Sequence, residues 1–173
     1  MEFVWMAVTL MVLIVAITAG WAGLRAAPYL PTRQKDVDRM LALADIKPGD
    51  VVYDLGAGDG RFLISAAKKG AQATGFEISI LPFLVAKLRI AMAGVGDKAK
   101  MKAKDFFHVN LSQANVIVCF LTPAAMAKLK PKFQAELKPG TRIVSYAFAL
   151  PDWPPTVKEK PDPKWMAVYL YRV

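Results

Sequence analysis

Hydrophobic positions divide the chain into an apolar N-terminal segment and a mixed remainder. Residues 3–24 include no charged residue, and only Thr9, Thr18, Gly20 and Gly23 fall outside the hydrophobic set. A helix of this length reaches about 33 Å, enough for a hydrocarbon core of about 30 Å. A secretory signal peptide has a basic start and a shorter apolar run. The pattern therefore favours an uncleaved anchor over residues 1–26, with a cleaved signal peptide as the alternative.

The charges that flank this segment predict its orientation. Four basic residues lie between positions 25 and 39, whereas no Lys or Arg precedes the segment. Because cytoplasmic loops carry an excess of Lys and Arg, the C-terminal side should be cytoplasmic. Trp5 and Trp21, near the two ends, fit interfacial anchoring, although they are also simply hydrophobic. We expect a single-pass membrane protein whose domain, residues 27–173, lies on the cytoplasmic side and contacts the bilayer through residues 3–24.

After the apolar segment, helical and strand periodicities alternate. Apolar residues at helical spacing predict a helix over 32–46, with Thr32 as a possible N-cap. Short apolar runs predict buried strands, and further helical patterns lie between them. The predicted strands cover 51–55, 73–77, 115–120, 142–148 and 165–171, and the other two helices lie in 61–70 and 80–93. This alternation predicts an α/β fold with a mostly parallel sheet covered by helices on both faces.

The segment KAKMKAK, residues 98–104, alternates strictly and places four lysines on one side. A strand with one side so polar is typical of a sheet edge, where lysine blocks pairing with another chain. A docking surface for lipid or protein is the alternative interpretation.

Composition and charge narrow the class of protein. With 173 residues and 55% hydrophobic residues, the chain is long enough for one domain and is neither disordered nor a disulfide scaffold. The net charge of +9 suits anionic lipid, nucleic acid or plain solubility. Nucleic acid is disfavoured because no Arg-rich tract or aromatic–basic RNA motif is present. The single cysteine, Cys119, lies in an apolar run and is expected to be a core residue.

A glycine-rich turn, DLGAGDG at residues 54–60, lies between a predicted strand and a predicted helix. Glycine allows a tight turn and close approach of a ligand, and the following helix N-terminus favours an anion. The spacing matches neither the dinucleotide fingerprint nor the phosphate loop. Glu77, at the end of the next strand, is placed to bind ribose hydroxyls. With Asp105 and Phe106 as partners for a base, the pattern favours a site for a nucleoside with an amino-acid tail over a turn without a ligand.

These motifs occur together in one known superfamily. The motifs are PYLPT (28–32), DLGAGDGR (54–61), GFE (75–77), DF (105–106) followed by NLSQ (110–113), and ALPDW (149–153). From about residue 27 onward, the sequence resembles the class I, seven-β-strand methyltransferases that use S-adenosylmethionine. Within them it resembles the lysine methyltransferases grouped with the ATP synthase c-subunit lysine N-methyltransferase. The resemblance implies a Rossmann-like seven-stranded sheet and S-adenosyl-L-methionine as the cofactor.

The resemblance also implies roles for individual residues. The methionine part of the cofactor would lie among Asp54, Gly56, Gly58 and Gly60. Glu77 would bind the ribose, and Asp105 and Phe106 would bind the adenine. Pro31 and Tyr29 would close the site, and no metal is expected.

The strand end at 120–123 reads FLTP, in place of the N/D-P-P-Y tetrapeptide of many N-methyltransferases. Thr122 and Tyr29 are the candidate catalytic residues. Thr122 and Pro123 equally suit a helix N-cap and a first helical position. His108, the only histidine, is expected to be a surface or core residue rather than a catalytic one.

The expected acceptor is a lysine on a membrane-associated protein. No insertion is long enough to enclose a small metabolite, and an open site near an anchor favours a large or membrane-bound substrate. A neutral lysine can attack the methyl group without a dedicated base if its surroundings favour the uncharged form. The sequence thus predicts protein-lysine N-methylation at the membrane surface. Phospholipid N-methylation and a non-catalytic, membrane-tethered interaction module are the alternatives.

Overall fold

The computed structural model describes residues 1–25 and 27–173, apart from the side chain of Arg25. In chain order the helices are α1 (Glu2–Arg25), α2 (Gln34–Ala44), α3 (Arg61–Lys68), α4 (Ile80–Met92) and α5 (Pro123–Glu136). The strands are β1 (Val51–Leu55), β2 (Gln72–Glu77), β3 (Ala99–Ala103), β4 (Val116–Cys119), β5 (Arg142–Tyr146), β6 (Val157–Glu159) and β7 (Val168–Arg172). A short 3₁₀ turn covers Phe106–His108.

The seven strands form one sheet in the order β3-β2-β1-β4-β5-β7-β6. Strands β1 to β5 pair in parallel, and β7 runs antiparallel to both β5 and β6. The order reverses between β1 and β4, which is where open α/β sheets bind ligands at the carboxyl ends of their strands. The predicted Rossmann-like, mostly parallel sheet is confirmed.

Helices cover both faces of the sheet. On one face α2, α3 and α4 contribute Val37, Phe62 and Ile90 to a common core. On the other face α5 contributes Leu129 and Phe133 to a second core. The two layers pack against the sheet from both sides and so position the strand ends that lead into the loops after β1 and β2.

Strand β3 lies at the edge of the sheet, as the alternating lysines predict. Ala99 and the partly buried Met101 pack into the core that α4 shares. Since side chains alternate along a strand, the exposed Lys100 and Lys102 point to the opposite face.

Several predicted boundaries are wrong. Helix α2 begins at Gln34 with Arg33 as its N-cap, not Thr32, because the Thr32 carbonyl accepts a hydrogen bond from the side chain of Arg61. Strand β5 stops before Ala147, which takes a left-handed φ of 70°. Strand β6 was not predicted, since its three residues include no buried position.

Helix α1 runs unbroken through the apolar segment, and Glu2–Leu24 is long and apolar enough to cross a membrane. Residues 2–14 are exposed, Val15 and Thr18 are half-buried, and Ala22 is buried. Near its C-terminal end the helix contacts α4, where the Ile80 N–H donates to Thr18 Oγ1 at 3.4 Å. The apolar helix is therefore packed directly on the domain.

Candidate active site

The loop after β1 has a backbone that only glycine adopts readily. Gly56, Gly58 and Gly60 have φ values of 83°, 54° and 74°, all in the left-handed region. A Cβ added to Gly58 would lie 2.9 Å from Cε2 of Tyr29, and one added to Gly60 would lie 3.0 Å from Cβ of Ala86. The loop therefore packs its main chain closely against Tyr29 and Ala86, and the close approach of a ligand stays a prediction.

The Glu77 carboxylate stands at the end of β2 and faces this loop. Its Oε1 accepts hydrogen bonds from the N–H groups of Ile78 at 2.9 Å and Ser79 at 2.8 Å. Its Oε2 accepts from the Gly58 N–H at 3.0 Å. An ionised carboxylate accepts about four hydrogen bonds, so Oε2 retains capacity for one more donor. A ribose hydroxyl suits that position.

Asp54 is buried at the end of β1, with 7% of its surface exposed. Burial raises the pKa of its carboxyl group to about 7, and the nearby charges of Glu77 and Asp59 add to the rise. A cation placed beside this carboxyl group would stabilise it, because a nearby positive charge favours the ionised form. The ammonium group of an amino-acid ligand would meet that need.

A charge network that the sequence analysis missed lies on the other side of the loop. Asp59 pairs with both Arg61 and Arg89. Burial alone would raise the pKa of Asp59, but the hydrogen bond from Arg61 and the charges of both arginines hold it below its usual value. Arg61 also donates to the carbonyl of Thr32, so it fixes segment 28–32 against the loop. Arg61 directly follows the glycine motif in the sequence, whereas no residue near Asp59 indicates its pairing with Arg89.

Tyr29 lies in that segment and contacts Gly58 through its ring. Asp59 lies close to its hydroxyl, and its side chain remains half-exposed. Burial raises the pKa of Tyr29, and the negative charge of Asp59 raises it further. The phenol is thus protonated at neutral pH, which suits it to contact and hydrogen bonding rather than to proton abstraction.

Asp105 and Phe106 follow β3, and their role in binding a base stays a prediction. Asp105 Oδ1 accepts from the Phe107 N–H at 2.9 Å and caps the 3₁₀ turn. Phe106 is buried and lines the same cleft as Gly56. His108 is exposed, with its Nδ1 3.5 Å from Asp105 Oδ2, and it does not line the cleft.

Thr122 occupies the N-cap of α5. Its Oγ1 accepts from the Ala125 N–H at 3.4 Å, and Pro123 follows as the first helical residue. The neighbouring residues that line the cleft are Phe120 and Leu121. The capping interpretation is confirmed, and the catalytic role of Thr122 stays a prediction.

One cleft, partly open to solvent, is lined by most of these residues, although not by Gly60, His108 or Thr122. Its walls come from segment 27–32, loop 54–61, residues 76–79, residues 105–106 and residues 118–121. Ala22 of α1 completes the wall. Left-handed glycines, a carboxylate with a remaining acceptor position and an aromatic ring fit the amino-acid, ribose and adenine parts of S-adenosylmethionine.

The sequence model of the ANTKMT methyltransferase domain matches residues 54–157, which contain the glycine loop, Glu77, Asp105 and Phe106. The chain belongs to this methyltransferase family. It is 42% identical over 148 residues to a protein-lysine N-methyltransferase from Saccharolobus islandicus, covering 83% of this chain and 92% of that one.

Mammalian members are longer. The chain is 35% identical over 142 residues to the mouse ATP synthase c-subunit lysine N-methyltransferase, covering 80% of this chain but 56% of that protein. It is 37% identical over 143 residues to the mouse adenine nucleotide translocase lysine N-methyltransferase, covering 80% of this chain and 61% of that protein. The family of protein-lysine methyltransferases suggested by the sequence is confirmed.

Solved structures also place the chain among the methyltransferases. An RNA methyltransferase from Salinibacter ruber, crystallised with S-adenosyl-L-homocysteine, superposes with a TM-score of 0.79 at 37% identity. The match covers 83% of this chain and 94% of that one. A methyltransferase from Thiobacillus denitrificans, at 23% identity and a TM-score of 0.60 over 78% of this chain and 53% of that one, shares the fold. The protein is an S-adenosylmethionine-dependent methyltransferase, as the sequence predicts.

Proposed function

We propose that the protein methylates the Nζ atom of a lysine on a membrane protein, at the surface of the bilayer. The observation that carries this proposal is that α1, the helix able to cross a membrane, supplies Ala22 to the wall of the cofactor cleft. The cleft and the apolar helix are thus in direct contact. If residues 1–26 anchor the chain, the cleft of the domain formed by residues 27–173 opens beside the membrane.

The relatives indicate the acceptor. The names of the mouse family members give the ATP synthase c-subunit and adenine nucleotide translocase as their lysine-bearing substrates. The archaeal relative, which this chain matches over most of its length, is also a protein-lysine methyltransferase. From this sequence similarity we infer that the acceptor of this protein is a lysine on a membrane-associated protein.

The residues of the cleft would bind and orient both reactants. The cofactor supplies a methyl group already activated for displacement. Asp54 and Glu77 would hold its amino-acid and ribose parts, Asp105 and Phe106 its adenine, and Pro31 would help to close the cleft. Alignment of the acceptor with the methyl group then accounts for a large part of the rate.

The acceptor side of the cleft would favour a neutral amine. Leu30, Phe120 and Leu121 line the cleft and give it an apolar character. Desolvation between such side chains disfavours an ammonium ion and so generates the nucleophile without a dedicated base. This agrees with the protonated state of Tyr29.

Orientation follows from the basic residues after α1. The excess of Lys and Arg on the C-terminal side supports a cytoplasmic position for the domain. A protease added to sealed, inside-out vesicles should therefore digest the domain, and a protease added to right-side-out vesicles should leave it intact.

The acceptor is identified by incubating membranes with the enzyme and methyl-labelled cofactor. We expect the label in the membrane protein fraction, with none transferred by the Glu77→Ala variant. Label that extracts entirely into organic solvent would favour phospholipid N-methylation instead. Label in RNA would favour the activity named for the Salinibacter structure. Absence of cofactor binding by calorimetry would support a non-catalytic interaction module.

A further inference from the structure

The outer face of α4 is apolar and exposed. Six large side chains on it are 38–79% accessible to solvent: Ile80, Leu81, Leu84, Val85, Leu88 and Met92. At about 100° per residue they span an arc of roughly 140° on one side of the helix.

The inner face of the same helix is apolar as well. Pro82, Ala86 and Ile90 are buried against the domain. A surface helix of a soluble domain normally directs charged and polar residues outward, and a helix that is apolar all round is covered on both sides. An exposed apolar face of this size marks a contact surface.

This face is continuous with the end of α1. The N-terminal residue of α4, Ile80, donates its N–H to Thr18 of α1 at 3.4 Å. Thr18 lies six residues before Leu24, the last apolar residue of the segment. At about 1.5 Å per residue, the contact is about 9 Å inside the apolar part of α1.

The length of α1 that projects from the domain gives a second estimate of how deeply the domain enters the membrane. The charged Glu2 bounds the apolar part of α1, residues 3–14 are exposed, and Val15 is the first half-buried residue. Those residues reach about 20 Å, which is about 10 Å short of a hydrocarbon core of about 30 Å. For α1 to cross, the part of the domain that surrounds its last turns has to enter the membrane by about this amount.

We propose that α4 lies in the bilayer interface, with the face formed by these six side chains in contact with lipid. The required depth of about 10 Å agrees with the roughly 5–10 Å at which interfacial amphipathic helices are buried. The inference rests on the proposed insertion of α1. Lipid is favoured over a protein partner because α1 brings this face to the depth of the acyl chains whether or not another protein is present.

Exposed Lys87 fits this placement. By helical spacing it lies next to Ile80 at the border of the apolar arc. There the aliphatic part of its side chain can pack on apolar groups while its ammonium group contacts the lipid phosphates. The exposed lysines of β3 point to the other face of the sheet and take no part.

Contact between α4 and lipid would set the height of the cleft above the membrane. Ile78 and Ser79 line the cleft and lead directly into Ile80. Acceptor lysines at the membrane–water boundary would then be in reach, and lysines on distant soluble domains would not.

The test uses the full chain in vesicles of phosphatidylcholine and phosphatidylglycerol. An environment-sensitive fluorophore is attached at Leu84→Cys, and lipids carrying a quencher on the upper acyl chain are added. Met166→Cys is the matched control, because Met166 is 57% exposed and precedes β7, toward the other edge of the sheet. Leu13→Cys, in the exposed part of α1, reports insertion of the anchor. The native Cys119 is fully buried and stays unlabelled.

We expect the fluorophore at position 84 to lose roughly half or more of its emission, because a group about 5–10 Å deep lies among the quenchers. The fluorophore at position 166 should keep its emission. Quenching at position 13 without quenching at position 84 would overturn this inference and leave the anchor intact. No quenching at either position would refute the anchor as well. Shielding of position 84 from aqueous iodide only after a membrane protein is added would show a protein-binding face, and would also overturn the inference.

Discussion

The buried carboxyl group of Asp54 is expected to make cofactor affinity depend on pH just below neutrality. Its pKa is raised to about 7 by burial and by the charges of Glu77 and Asp59. A cofactor ammonium beside it binds the ionised form, which predominates above that value and is lost as pH falls. From pH 7 to pH 5 the ionised fraction drops about 50-fold, equivalent to about 2.3 kcal/mol of binding free energy. The cofactor's amino group stays protonated over this range.

Calorimetric titration of S-adenosylmethionine at pH 5, 6 and 7 measures this effect. We expect the Kd of the wild-type protein to rise by more than tenfold between pH 7 and pH 5. Asp54→Asn should bind weakly at pH 7 and show a nearly flat profile. Asp97→Asn is the matched control, because Asp97 is exposed and does not line the cleft, so its profile should keep the wild-type slope. A wild-type Kd that is constant from pH 5 to pH 7 would refute the reasoning.

Three further predictions concern the cleft and the core. Gly58→Ala should weaken cofactor binding about tenfold, because a left-handed alanine costs about 1–2 kcal/mol and its Cβ would meet Tyr29. Gly94 is also left-handed but has open space around it, so Gly94→Ala should not change the Kd. Arg61→Ala should release segment 28–32 and speed its cleavage in limited proteolysis, and unchanged cleavage would argue against the tether to Thr32. Cys119 should resist iodoacetamide at pH 8 in the folded protein, because burial raises the pKa of its thiol to about 12. Mass spectrometry measures the labelling, and rapid labelling would contradict the placement of Cys119 in the core.

Features carried by neighbouring residues were predictable from the sequence. The glycine loop, the strands on both sides of α3 and the acidic end of β2 each depend on a short run whose chemistry allows few conformations. The edge position of β3 followed from its alternating lysines. Asp54, Glu77 and Phe106 could also be predicted to be neighbours, because the carboxyl ends of adjacent parallel strands meet at one edge of the sheet.

Features that depend on tertiary contacts were not predictable. Asp59 and Arg89 pair across 30 residues, and nothing near either residue indicates the other. Helix α5 has only four buried residues and an internal Pro131, so its periodicity is weak, and only its start was suggested by Thr122. The packing of α1 on α4 was also invisible, because an anchor and a core helix have the same apolar composition.

The most direct test of lysine methylation at the membrane surface is peptide mapping of the proteins that become labelled. Membranes are incubated with the protein and methyl-labelled cofactor, and the labelled peptides are sequenced by mass spectrometry, with Glu77→Ala as the inactive control. We predict methyl groups on the Nζ atom of lysines within a turn or two of a membrane-spanning segment, on its cytoplasmic side. Methyl groups only on soluble proteins, on lipid or on RNA would contradict the account.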